Sequence, residues 1–217
     1  MRIGFCISGL GRAAVQTIMH LKRTRTDLGF FVLLSSEADL SLESTMNAIE
    51  VETQRISRFK ENTSRDLEDI MLKKQQCDFW VLTFRHLMPD RVVDDLACRI
   101  INLHPTLLPS FPGLYGLENQ KRSTSNLLGA TCHFVDKGID TGPIISMFVM
   151  PRNPALGWEK TEAEFAKGVK LLHTQTTVWM ADGRITFESS TPQVQGTSYE
   201  TLPFVPTLDE PGLLREI

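Results

Sequence analysis

The sequence predicts an α/β fold, a mostly parallel, doubly wound sheet with a mixed C-terminal part. Three observations predict it. Short buried apolar runs at residues 2–8, 30–36, 79–82 and 100–103 alternate with stretches of helical periodicity. A glycine turn, Gly9-Leu10-Gly11, joins the first run to the first helical stretch. Later in the chain, runs at 129–135 and 144–149 follow each other with no helix between them, which makes that part of the sheet mixed.

Each element has a local reason. After residues 2–8 and the glycine turn, Ala14, Val15, Ile18 and Leu21 recur at helical spacing. The run at 30–36 leads through a polar linker into a helix over 41–48, and 51–56 form a third strand. Thr63 or Ser64 caps the next helix, whose apolar face is Leu67, Ile70 and Met71. Residues 79–82 return to strand, 90–97 are helical in pattern, and 100–103 form a buried strand that runs into His104-Pro105. A long helix over 161–180 ends at Gly183. The final stretch, with Pro192, Pro203, Pro206 and Pro211, reads as an extended tail, which divides the chain into a catalytic domain over 1–188 and a tail over 189–217.

With 217 residues the chain fits one α/β domain, whose core needs neither disulfide nor metal. Apolar residues at 41% and charged residues at 23% place it among ordinary globular proteins. A net charge of −3 with scattered Lys and Arg offers no basic stripe, so nucleic acid is not an expected partner. No stretch approaches the roughly 20 apolar residues of a membrane span, and the N-terminus lacks a secretory pattern, so a cytoplasmic protein without membrane contacts is expected. Cys6, Cys77, Cys98 and Cys132 have no metal-ligand spacing and read as reduced core residues; no metal is expected.

Two motifs carry chemistry. The segment from Asn102 to Gly113, Asn-Leu-His-Pro-Thr-Leu-Leu-Pro-Ser-Phe-Pro-Gly, leaves a buried strand and sets an amide and an imidazole two residues apart, so both can face one side. The segment from His133 to Pro143, His-Phe-Val-Asp-Lys-Gly-Ile-Asp-Thr-Gly-Pro, leaves a second strand through a turn with two glycines and two aspartates. A histidine after a strand is often a satisfied structural residue, and an aspartate in a glycine-rich turn is often a turn former. Both long motifs in this order and separation outweigh those readings.

The two stretches closely resemble the folate-dependent formyltransferases, and most of all the glycinamide ribonucleotide formyltransferase branch, over most of residues 1–188. The resemblance implies a Rossmann-like formyltransferase fold. It also implies transfer of a formyl group from 10-formyltetrahydrofolate to an amine, with Asn102, His104 and Asp140 as the catalytic set. The chemistry explains the residue types. A neutral amine attacks the formyl carbon, and the carbonyl oxygen becomes an oxyanion that fixed donors on Asn102 and a protonated His104 can stabilise. Asp140 can hold His104 charged and, through a water, accept the proton that the amine sheds. Arg85, His86 and Leu87 match the family segment whose backbone grips the pterin ring of the donor. By the same resemblance Val135, Asp136, Lys137, Gly138 and Asp140 are expected to supply the rest of that site. His133 matches a family histidine on the same sheet edge and equally suits the core beside Phe134.

The acceptor side departs from the branch. Gly9, Gly11, Arg12 and Ala13 stand where the glycinamide ribonucleotide enzymes have Gly-x-Gly-Ser-Asn to hold the substrate phosphate at a helix N-terminus. Val169 falls at the position of the family's ribose-binding glutamate. The expected acceptor is therefore another small-molecule amine carrying a carboxylate or phosphate, the alternative being glycinamide ribonucleotide itself with a divergent phosphate loop. A rival from another class is an NAD(P)-binding oxidoreductase, because Gly9-x-Gly11-x-x-Ala14 and Glu37 fit a dinucleotide fingerprint. It leaves Asn102, His104 and Asp140 without a role. A folate-binding protein without turnover is disfavoured by the intact trio. Initiator-tRNA formylation is disfavoured because that branch carries an additional basic domain.

Overall fold

The computed structural model describes residues 1–56, 60–153, 155–200 and 202–209, with the backbone alone for 60–62. The chain forms two compact units, one of Met1–Asn102 with Phe134–Ile139, the other of Leu103–His133 with the chain from Asp140 on.

The first unit holds β1 (Arg2–Ile7), β2 (Gly29–Leu34), β3 (Glu52–Arg55), β4 (Phe79–Thr83) and the start of β5 (Ile100–His104), all parallel in the order β5-β4-β1-β2-β3. Ile3, Phe5, Cys6 and Ile7 are fully buried, as expected of a central parallel strand covered on both faces. Gly9 and Gly11, at φ of 65° and 60°, take the left-handed conformations that turn the chain from β1 into α1 (Arg12–Thr24). This helix buries Ala13, Ala14, Thr17, Ile18 and Leu21, while Val15 is only half-buried. α2 (Ser41–Ala48) follows β2 as expected. Arg55 on β3 donates to the carbonyls of Ser35 and Ala38 and pairs with Glu43, which fixes the loop between β2 and α2.

The next helix departs from expectation. α3 (Lys60–Glu68) begins before Thr63 and Ser64, which lie inside it rather than at its cap. Lys60 and Glu61 are good helix formers and extend the helix upstream of its first apolar residue. It continues as a π-helical stretch, Asp69–Lys74, that buries Ile70 and Met71. α4 (Asp90–Asp95) is shorter than predicted. One apolar cluster unites Cys6, Phe31, Leu33, Leu67, Trp80, Leu82 and Ile100, with Phe84, Met88 and Val135 packed against it.

The second unit holds α5 (Gly116–Arg122), β6 (Leu127–Phe134), β7 (Ile144–Pro151) and α6 (Trp158–Ala181). β6 and β7 are antiparallel, which makes this part of the sheet mixed as expected. The sequence did not suggest α5, a short helix with no apolar face; its buried Gln120 instead braces the chain, donating to the Pro105 and Gly129 carbonyls and accepting from the Gly129 N–H. α6 ends before Gly183, which has φ 65°.

The expected boundary at 188/189 falls inside a hairpin of β8 (Ile185–Glu188) and β9 (Thr191–Val194). Ser189 and Ser190 make its turn with positive φ, a turn without the glycine or asparagine that usually advertises it. β10 (Phe204–Val205) then pairs antiparallel with β7, and Phe204 enters the cluster of Leu128, Phe148, Phe165 and Leu172. Asp209 accepts from Trp179 Nε1, Gln175 and Arg184. The described part of the expected tail is thus packed rather than extended; Pro211 lies outside the described residues.

Candidate active site

β5 carries Asn102 and His104 two residues apart. Within the second unit, His104 Nδ1 lies 3.2 Å from Asp140 Oδ2, and His133 Nε2 lies 3.6 Å from Asp140 Oδ1. One carboxylate therefore serves two imidazoles. Local structure aims all three. The register of β6 against β7 shifts between Cys132 and His133, an irregularity that re-aims the side chain beyond it. Asp140 adopts φ 53° in its glycine-rich turn, a left-handed conformation that aspartate tolerates better than most residues.

The chain after β5 returns to the same group. The Gly113 N–H donates to Asp140 Oδ2 at 2.7 Å, and His104 Nε2 lies 2.9 Å from the Phe111 carbonyl. Burial alone pushes the Asp140 carboxyl up. The His133 side chain beside it, the hydrogen bond from the Gly113 N–H and the charges of His104 and His133 outweigh it, holding the carboxyl below the usual range. The group is thus an ionised acceptor within reach of two imidazoles. It can fix a charged ring, orient a water and receive a proton.

The other predicted residues lie in the first unit. Gly9, Gly11, Arg12 and Ala13 form the turn from β1 into α1, with Arg12 exposed and Ala13 buried. Arg85, His86 and Leu87 follow β4. The Arg85 N–H donates to Ser8 Oγ at 3.2 Å, and Ser8 donates to Ser35 at 3.0 Å. β1 and β4 are parallel and pair Ile7 with Thr83, and β4 pairs Leu82 with Asn102, so the β1 turn, the Arg85 segment and Asn102 share one edge. Val135 donates its N–H to the Ile100 carbonyl and packs on the same apolar cluster as Phe84 and Met88, so residues flanking both predicted pterin segments rest on one cluster. Asp136 accepts from the Gly138 N–H in a tight turn. Lys137 instead pairs with Asp94, 2.8 Å away at the surface. Val169 is partly buried and packs against the apolar cluster of the second unit.

Sequence reasoning missed the Gly113 N–H, the Phe111 carbonyl and the Ser8–Ser35 pair. The first two are main-chain groups, which no residue letter announces. The serines carried a weak signal, polar residues at the ends of two buried strands.

Residues 1–170 match the family described as Formyl transferase. The phosphoribosylglycinamide formyltransferase of Bacillus subtilis is 41% identical over 63 residues, which are 29% of this chain and 32% of that protein, so the matched stretch spans about a third of that relative. The enzyme of the same name from Escherichia coli is 27% identical over 201 residues, covering 90% of this chain and 94% of that one. Among solved structures, phosphoribosylglycinamide formyltransferase from Anaplasma phagocytophilum superposes with a TM-score of 0.79 at 24% identity, over 94% of this chain and 97% of that one, a likeness of fold.

Proposed function

Because this chain belongs to the formyl transferase family, we propose that it moves the formyl group of 10-formyltetrahydrofolate to a small amine that carries an anionic group. The observation that carries the reading is the Asp140 carboxylate, held ionised between His104, His133 and the Gly113 N–H.

The free amine attacks the formyl carbon, a carbon–nitrogen bond forms, and the carbonyl oxygen takes the negative charge. The Asn102 amide and a charged His104 stabilise that oxygen. The amine loses its proton through a water to Asp140, the bond to the folate nitrogen breaks, and that nitrogen takes up a proton as the formamide leaves. No covalent intermediate on the protein is needed. The donor's pterin ring lies against the backbone of Arg85, His86 and Leu87 and of Val135, Asp136, Lys137 and Gly138, where main-chain groups read its amide-like edge.

The anionic character of the acceptor rests on α1. Its N-terminus has no side-chain cap, and Arg12 stands exposed in its first turn. Arg12 and Ala13 in place of a serine and an asparagine favour an anion held by charge and backbone, hence an acceptor other than glycinamide ribonucleotide. A second reading takes glycinamide ribonucleotide itself, which the names of the relatives favour. The test is incubation with 10-formyltetrahydrofolate and a panel of phosphorylated, nucleotide-linked and carboxylated amines, glycinamide ribonucleotide included, with formylated products identified by mass. A formamide on one anionic amine of the panel is expected. Formylation of neutral amines alone would overturn the anionic assignment, and a product from glycinamide ribonucleotide alone would select the second reading.

A further inference from the structure

Both nitrogens of His104 face acceptors, and the two acceptors are held differently. Nε2 lies 2.9 Å from the Phe111 carbonyl. The single Thr106 Oγ1–H is shared between two carbonyls, that of Ser110 at 2.9 Å and that of Phe111 at 3.2 Å. Thr106 is fully buried, and its own carbonyl accepts from Thr131 Oγ1, which in turn accepts the Leu108 N–H. Phe111 holds a left-handed φ of 57°. Gly116 closes the other side, since a Cβ there would lie 2.4 Å from the Phe111 oxygen and 2.8 Å from His104 Nε2.

Nδ1 is held less firmly. Its distance of 3.2 Å to Asp140 Oδ2 is long for a charge-assisted bond, and that oxygen already accepts the Gly113 N–H at 2.7 Å. A basic oxygen that arrives beside the ring competes more easily for Nδ1–H than for Nε2–H.

Resting on the formyl-transfer reading above, we propose that Nδ1 is the working nitrogen of His104, and that Thr106 and Gly116 are positioning residues that anchor Nε2 through the Phe111 carbonyl. The Thr106 hydroxyl, shared between the Ser110 and Phe111 carbonyls, holds that turn in place, and Gly116 leaves the Phe111 carbonyl room beside the ring. The anchor fixes the plane of the imidazole and so delivers Nδ1–H to the developing oxyanion.

The test compares Thr106→Val, which removes the hydroxyl at nearly constant shape, with Thr106→Ser, which restores it. Thr106→Val is expected to lower kcat about tenfold, the worth of one hydrogen bond, with the KM for the folate unchanged; Thr106→Ser should recover most of the loss. In nitrogen-15 spectra of the histidine rings, His104 Nε2–H should exchange slowly with water in the wild type and Thr106→Ser, and fast in Thr106→Val. An Nε2–H that stays protected in Thr106→Val overturns the anchor, and so does a lost kcat that serine does not restore. If Thr106→Val fails to fold, Gly116→Ala reads the same contact, with the same expected loss of Nε2–H protection. The spectra need no turnover, so a wild type that transfers no formyl group refutes the transferase reading while the ring assignment is still decided by the exchange rates.

Discussion

His104 and His173 are both buried in the second unit, with 6% and 1% of their surface exposed, yet their surroundings differ in kind. His104 ends β5 with a carboxylate at one ring nitrogen and a carbonyl at the other, an arrangement that a doubly protonated ring satisfies in full. His173 lies in α6 within a run, Leu171 to Thr177, that is buried on every side. Burial alone lowers its pKa to about 3, so this ring stays neutral at physiological pH. Depth in the protein does not separate a candidate site histidine from a packed one. The acceptors around the ring do.

Exchanging each histidine tests that contrast most severely. His104→Ala should lower kcat by roughly 10²- to 10³-fold, the scale of one lost oxyanion donor, while folate binding persists. His173→Leu should leave kcat unchanged. Equal losses from the two variants, measured with the acceptor identified by the mass assay, would remove the distinction.

The second test uses protons. The folded value of His173 lies below the usual 6.5, so between pH 6.5 and about 3 the unfolded chain binds a proton that the folded one refuses. The stability from this neutral ring is fully present above pH 6.5 and is lost as pH falls toward 3, at up to about 1.4 kcal/mol per pH unit. Thermal melts of His173→Leu should therefore show a flatter decline over that window than the wild type. Parallel curves would mean that His173 titrates normally.

What the sequence made legible follows the same contrast. The alternation of strands and helices, the glycine turn and the two motifs of the candidate site could be read because each depends on side-chain type or period: Ile3, Phe5 and Ile7 announce a buried strand, and Asn102, His104 and Asp140 mark a candidate for chemistry. The main-chain partners of His104 and Asp140 could not be read, because the Phe111 carbonyl and the Gly113 N–H are properties of the fold. The hairpin of β8 and β9 was hidden by a Ser189-Ser190 turn, and the prolines around Phe204 drew attention from its apolar anchor. The interior of α6 runs against what its residue types suggest. His173, Thr174, Gln175, Thr176 and Thr177 look like a solvated face, but Thr176 and Thr177 donate back to the carbonyls of Leu172 and His173, and Gln175 bonds Asp209, so a polar run is buried with its hydroxyls satisfied. His133, equally suited by sequence to site or core, lies beside Asp140.

The smallest expected effect concerns Asp140 and has its own pH signature. Its folded pKa lies below the usual 3.8, so the carboxylate contributes stability that is present above that value and is lost as pH falls through the lower folded one. Asp140→Asn removes this contribution and leaves the neighbouring groups with a neutral partner. The variant should melt below the wild type at neutral pH, and the gap should narrow in acid, once the wild-type carboxyl is itself protonated. His173→Leu should show a different pattern, with its change already developing near pH 6. A melting gap for Asp140→Asn that stays constant from neutral to strongly acidic pH would mean that packing, not the charge shared with His104 and His133, fixes this carboxylate in place.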